Sequence, residues 1–374
     1  MKRIKTLLIL VTILTFLTGC WDQVLFKDER LIMGVAFDKI ENDKILTTAT
    51  IPIVEPGQAG VSSGGIQIVS GVGKTPRQSR MQIDRKIARS FNAAKMLTVV
   101  LGGELIKENI FPLLDVYYRD PRSNLSANLI VTEEEASEIL KLKLPNQPRV
   151  SEYITDLMHS SKVSTIIPES TIEMIGSALL DSGQDFGLPL VTIDNTGTNL
   201  MVKGFALFNG DKYTGEYLTP QQTTLYLLMA GKKGRTARLS IKVFDDKSPD
   251  YLNYITVDVE KVKRKIKTKY KVNKPVVNID MKLKVTVIEY PHDKLNSSKE
   301  LAKLNKAMSE NLTKKSKLVI KKIQEANSDL FGIGRQIIAY HPKHWDKKEW
   351  KKLYQTIDIN SNVKVEIVQH GIVN

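Results

Sequence analysis

A single cysteine, Cys20, stands in a chain of 374 residues. That excludes an intramolecular disulfide and any cysteine-rich zinc or iron–sulfur centre, so the fold has to hold without covalent staples. A membrane-crossing run is also missing. The apolar-rich stretch from Leu7 to Leu17 has eleven positions, against the roughly 20 that a helix needs to cross the hydrocarbon core. What is present is a chain 42% hydrophobic and 26% charged, too apolar for disorder and too polar for a multi-span membrane protein. Its length allows two or three domains, each with a core of its own.

The charge is unevenly placed. The whole chain carries +14. From Leu200 onward there are 34 basic and 18 acidic residues, a net of +16, whereas Cys20 to Asn199 holds 18 basic and 23 acidic, a net of −5. A mildly acidic front half joined to a strongly basic back half implies two regions with different neighbours, and an acidic partner or surface for the second.

Lys2, Arg3 and Lys5 precede the short apolar run, which ends in Leu17-Thr18-Gly19-Cys20. This is the profile of a signal peptide, and its last four residues resemble the lipobox of bacterial lipoproteins. Cys20 is then the lipidation site: its sulfur takes a diacylglyceryl group, with acyl chains such as palmitate, and becomes the first mature residue. One buried acyl chain binds a membrane marginally and two bind it persistently. The folded body is thereby expected on the extracytoplasmic face, where ATP and nucleic acid are not available.

Periodicity and turn signals set out the mature chain. Leu31 to Asp38 and Ile45 to Val54 read as paired strands. Residues 55 to 73 read as a Gly/Ser-rich loop holding at most one short strand, Ile66 to Ser70. Thr75 and Pro76 open a helix whose Ile83, Ile87, Ala88 and Phe91 share a face. Met96 to Leu101 is a buried-type strand, followed by a helix from Glu104 to Tyr117 and a strand from Leu125 to Val131. Thr132 and Glu135 have the spacing of a capping box, and helices are expected at Ser151 to Ser161 and Pro168 to Leu180. Asp194 to Asn199 is a turn-rich boundary. Beyond it, Asn209-Gly210 marks a hairpin, and Thr219-Pro220 starts a helix that Gly231 ends.

The last region alternates with period two. Val277, Ile279, Met281, Leu283, Val285 and Val287 make one face of a long strand. In the strand before it, Ile255, Val257 and Val259 share a face, but the odd positions then become Lys261, Lys263, Lys265, Lys267, Lys269 and Lys271. A bulge near Glu260 is required to keep Val262, Ile266 and Tyr270 on the core side. Ser297 and Glu300 cap a long helix striped by Leu301, Leu304, Met308, Leu312, Val319 and Ile323, and Asn362 to Gln369 is a final strand.

The fold class is α+β (mixed α/β) and multi-domain. A signal peptide occupies 1–19 and an N-terminal mixed α/β domain 20–195. The C-terminal region, 200–374, divides into a small hairpin–helix unit at 200–235 and an antiparallel α+β domain at 236–374, its sheet covered by the long helix.

No catalytic constellation emerges. Gly60-Val61-Ser62-Ser63-Gly64 matches a nucleophile elbow but lacks the flanking strand and helix. Gly73-Lys74-Thr75 resembles the end of a P-loop without its first glycine, Ile68 standing in that place. His341 and His344 are three apart, but Pro342 separates them and no cysteine can help, so a zinc site would rest on distant partners such as Asp346, and packing or surface roles are expected instead. Glu133, Glu134 and Glu135 fit a helix's first turn, where the dipole accounts for them. Neither a metal nor a cofactor is called for. The lysine row, at roughly 6.6 Å spacing along a strand, reads either as a solvated face guarding the sheet against edge pairing or as a contact for anionic lipid headgroups or another acidic polymer. Apart from Tyr270 it lacks the interleaved aromatics of a nucleic-acid surface.

Several segments together resemble one family. Gly19-Cys20-Trp21-Asp22, Arg119-Asp120-Pro121-Arg122, Gly204-Phe205-Ala206-Leu207-Phe208 leading to Gly215-Glu216-Tyr217-Leu218, and Asp329-Leu330-Phe331-Gly332-Ile333-Gly334 followed by Trp345 and Trp350 are similar to the Ger(x)C lipoproteins, the C subunits of spore germinant receptors. The likeness implies three α/β-mixed domains and a non-enzymatic subunit on the outer face of the spore inner membrane. It further implies work with integral-membrane A and B subunits in the response to nutrients. The alternative is a cell-surface lipoprotein that binds a solute or hydrolyses a wall or surface substrate, which would place weight on Ser62.

Overall fold

A computed structural model describes residues 3–5, 29–53, 65–144, 147, 149–271, 274–292 and 295–369. The elements, in chain order, are β1 (Glu29–Leu31), β2 (Gly34–Ile40), β3 (Lys44–Pro52), β4 (Ile66–Gly73), α1 (Pro76–Asp84), β5 (Ser90–Asn92) and β6 (Thr98–Leu101). Then come α2 (Phe111–Arg119), β7 (Asn128–Val131), α3 (Ala136–Lys141), α4 (Val150–Val163), α5 (Ile172–Leu179), β8 (Gly187–Ile193), β9 (Leu200–Asn209), β10 (Lys212–Leu218) and α6 (Pro220–Ala230). The last region holds β11 (Arg238–Lys242), β12 (Tyr254–Lys271), β13 (Lys274–Glu289), α7 (Ser298–Glu325), α8 (Ile333–Tyr340), α9 (Lys347–Leu353) and β14 (Asp358–Gln369). The class is mixed α/β, as the alternation of helical and strand periods predicts.

The first sheet has eight strands in the order β10-β9-β8-β7-β6-β2-β3-β4, parallel at its centre and antiparallel toward both edges. Period-two alternation sends Val35, Phe37, Val99, Leu101, Leu129 and Val131 to one core, with α1, α2 and α5, and Ala36, Val100 and Ile130 to another, with α3 and α4. Both faces of the parallel strands are therefore covered, as such strands require.

The turn at residues 194–199 joins β8 to β9 within this one sheet. The hairpin and helix grouped as a unit at 200–235 also diverge. β9 and β10 edge the first sheet, while α6 lies in a third core with β11 to β14 and α7. β9 is a shared wall: Ala206 and Phe208 face the first core and Phe205 and Leu207 the third.

Local signals hold closely. Thr75 caps α1, Thr219 and Gln222 form a reciprocal capping box on α6, and Gly231 ends α6 at φ 71°. The register of β12 slips between Val259 and Lys261, so the bulge required at Glu260 is present. Ser297 caps α7, while the Glu300 carboxylate accepts from the Tyr290 hydroxyl.

Other expectations are corrected. The helix at 104–117 is broken into a 3-10 turn, Gly103–Lys107, and α2, because Glu108 is extended and Pro112 sits in the first turn of α2. α1 stops at Asp84 and Phe91 lies on β5, which pairs parallel to β1. β4 runs on to Gly73. Thr132 and Glu135 make no capping box. The Asp38 carboxylate, 98 residues away in sequence, accepts from the Ala136 N–H at 2.6 Å and the Ser137 N–H at 2.8 Å. The second sheet, β11-β12-β13-β14, is antiparallel except at its last pair. β14 joins β13 in parallel because the long α7 carries the chain back along the sheet before it. That helix covers the sheet through Leu304, Met308, Leu312, Val319 and Ile323.

Candidate functional site

Cys20 and the segment Gly60 to Gly64 lie outside the described residues. Among the described residues, no helix is long and apolar enough to cross a membrane, and no three His, Cys, Asp or Glu residues converge as a metal site.

The remaining motifs take structural partners. At the P-loop-like segment, the Thr75 hydroxyl accepts from Gln78 N–H and the Gln78 side chain accepts from Lys74 N–H, so the helix start closes on itself. His341 and His344 pack on Tyr270, with ring centroids 5.0 and 4.3 Å away. Glu133, Glu134 and Glu135 precede α3 rather than filling its first turn. Glu133 binds Lys203 and the Tyr213 hydroxyl, and Glu134 accepts from Thr192.

The lysine row lies on the face of the second sheet opposite α7. Lys261, Lys263, Lys265, Lys267 and Lys269 are exposed, and Lys271 ends β12 across from Lys274. The strands beside it extend the charge. Lys263 stands opposite Lys282, which stands opposite Lys364, and Lys261 stands opposite Lys284. Like charges facing each other across strands destabilise a sheet, so three lysines in register across three strands oppose stability. Relief is partial: Asp280 stands opposite Lys265, and Glu366 lies 3.8 Å from Lys284. β11 pairs with β12 only over 254–258, leaving 261–271 paired on the β13 side. Lys282, Lys284 and Lys364 were not singled out from the sequence, although Lys282 and Lys284 stand in the polar half of the β13 alternation.

The motif from Asp329 to Gly334 holds the two sheets together. The Asp329 carboxylate accepts from the Ile333 and Gly334 N–H groups at 2.9 and 2.8 Å, and Gly332 takes a left-handed φ of 64°. The Ser328 hydroxyl donates to the Phe208 carbonyl, and the Tyr226 hydroxyl to the Leu330 carbonyl. Trp350 packs between Trp345 and Tyr354 and donates to Asp329. Asp185, missed in the sequence, completes this junction. Burial raises the pKa of Asp185, and that of Asp329 to about 7, against the lowering by their N–H donors. Both carboxylates are occupied by main-chain donors, which marks a structural joint.

The structure defines a mixed α/β protein whose eight-stranded and four-stranded sheets share the β9 wall, with a basic outer face on the second. The comparisons give the family. A family model described as "Spore germination protein N-terminal domain" matches residues 22–193, and one described as "Spore germination B3/ GerAC like, C-terminal" matches residues 203–371. The chain belongs to the Ger(x)C family of spore germination proteins. It is 24% identical to the spore germination protein GerQC of Bacillus cereus, over 100% of this chain and 99% of that one. It is also 24% identical to the spore germination protein B3 of Bacillus subtilis (strain 168), over the full length of both. The fold is similar to the crystal structure of the GerBC protein, with a TM-score of 0.55 at 19% identity, covering 90% of this chain and 97% of that one.

Proposed function

We propose that the chain is a non-enzymatic, lipid-anchored subunit of a nutrient germinant receptor. It acts on the outer face of the spore inner membrane, coupling to integral-membrane A and B subunits. The observation that carries this reading is the pair of family models, which together account for nearly all of the mature chain. Cys20, the lone cysteine, supplies the anchor, and two acyl chains on it suffice for persistent attachment. The basic sheet face, with Lys261, Lys263, Lys265, Lys267, Lys269 and Lys271, meets anionic headgroups, each lysine near the surface adding about 1 kcal/mol.

Replacing the gene with a Cys20→Ala allele tests the anchor: spores should form normally but respond poorly to the cognate nutrient. Crosslinking in spore membranes should recover A and B subunits with the wild-type chain. Full germination with every nutrient, or recovery of the chain among soluble proteins with no membrane partner, sinks the proposal.

A further inference from the structure

Between α6, α7 and the β11–β12 end of the second sheet lies a cleft of about 700 Å³, inside the roughly 300–1,000 Å³ of small-molecule sites. Its floor is apolar: Leu225, Leu239, Leu312 and Val319 are all buried. Its polar rim has one pre-formed ion pair. The Arg238 guanidinium donates through Nε and Nη2 to the two Asp258 carboxylate oxygens, both at 2.8 Å, so these charges cancel.

Lys315, three residues beyond Leu312 on α7, lines the same cleft. Among the described residues no carboxylate pairs with it, and burial alone lowers its pKa. Among the described residues, the rim thus presents the Lys315 charge without a paired carboxylate above an apolar floor.

A second observation comes from the opposite wall, where Ser164 and Ile166 line the cleft on either side of Thr165. Thr165 is fully buried and sits at φ 60°, a conformation that a β-branched residue adopts rarely and only when its surroundings impose it. Its hydroxyl donates to the Thr236 carbonyl and accepts from the Gly234 N–H at 3.0 Å, and its carbonyl accepts from the Thr224 hydroxyl at 2.9 Å. Thr224 and Thr236 line the cleft as well. Such forced conformations cluster at ligand sites.

We propose that this cleft binds a small organic monoanion of the carboxylate class, its charge at Lys315 and its apolar body on Leu225, Leu239, Leu312 and Val319. Because the walls come from 164–166 as well as from α6, α7 and the second sheet, an occupant bridges the α4–α5 connection to the second sheet. The proposal does not depend on the receptor reading.

The test is calorimetric titration of the full chain in zwitterionic nanodiscs with 4-phenylbutyrate and its uncharged amide. One saturable site is expected, with the carboxylate bound at least tenfold more tightly than the amide. Lys315→Gln should erase that tenfold preference and leave amide binding unchanged. Ser240→Trp, at an exposed strand position on the rim, should block both ligands while leaving the circular dichroism spectrum intact. Absence of saturable carboxylate binding at millimolar concentration, equal affinity for both ligands, or an unaltered preference in Lys315→Gln overturns the proposal.

Discussion

Asp185 and Asp329, 144 residues apart, exchange main-chain and side-chain hydrogen bonds. The Asp329 N–H donates to the Asp185 carboxylate at 2.8 Å, and the Asp185 N–H donates to the Asp329 carbonyl at 3.1 Å. The same Asp185 carboxylate also accepts from the Gly210 N–H at 2.7 Å, in the turn of the β9–β10 hairpin. One side chain therefore pins the shared wall of the two sheets to the loop that follows α7.

This joint makes stability depend on pH. Burial raises the Asp329 pKa from an ordinary 3.8 to about 7, so between these values the folded chain holds a proton that the unfolded chain releases. The stabilisation is complete below about pH 4 and is lost as pH rises through 7, on the order of a few kcal/mol. Urea unfolding should give a lower free energy at pH 7.5 than at pH 4.5. Asp329→Asn should flatten that slope; an unchanged slope in the variant would refute the assignment.

Thr165→Val keeps the shape and the φ of 60° but removes the hydroxyl that accepts from Gly234 N–H and donates to the Thr236 carbonyl. Leaving these groups unpaired should cost about 1–3 kcal/mol in chemical denaturation. A loss under about 0.5 kcal/mol would mean that water replaces the hydroxyl.

At Gly204 a methyl group would stand 2.1 Å from the Leu218 carbonyl oxygen, across the β9–β10 hairpin. Gly204→Ala should therefore force the strands apart and destabilise by at least about 2 kcal/mol, read as a drop in Tm. Gly197, whose added Cβ meets nothing within 4 Å, serves as the comparison: its φ of 71° leaves only a backbone term of about 1 kcal/mol for alanine.

Lys282 stands between Lys263 and Lys364. Lys282→Glu replaces two repulsive pairs by attractive ones, so stability should rise, on the order of 0.5 kcal/mol. Flotation with vesicles containing phosphatidylglycerol should weaken in the same variant, and wild-type binding should fall with salt. If the variant binds such vesicles as well as the wild type, lipid contact at this face is refuted and edge protection remains.

Where the governing interaction is short in sequence, the residues announce it. The slip at Glu260 follows from a change of parity between Val259 and Val262, because a period-two pattern cannot keep its core face without an extra residue. Thr219 with Gln222, Thr75 with Pro76, and Gly231 are equally local. The lysine row was legible for the same reason, but its continuation through Lys282 and Lys364 needed the strand register.

The amino-acid order alone thus settled the class of fold, the long strands, most of their caps and the likeness to a germination family, since propensity, parity and motif order are carried within a few neighbouring residues. Tertiary structure decided what depends on distant partners. Asp38 displaces a local cap on α3, β14 enters in parallel, and β9 serves two cores. Asp185 meets Asp329, and among the described residues Lys315 stands without a paired carboxylate above an apolar floor. Each brings together groups far apart along the chain, and what they gain from burial and pairing depends on packing that no local pattern encodes.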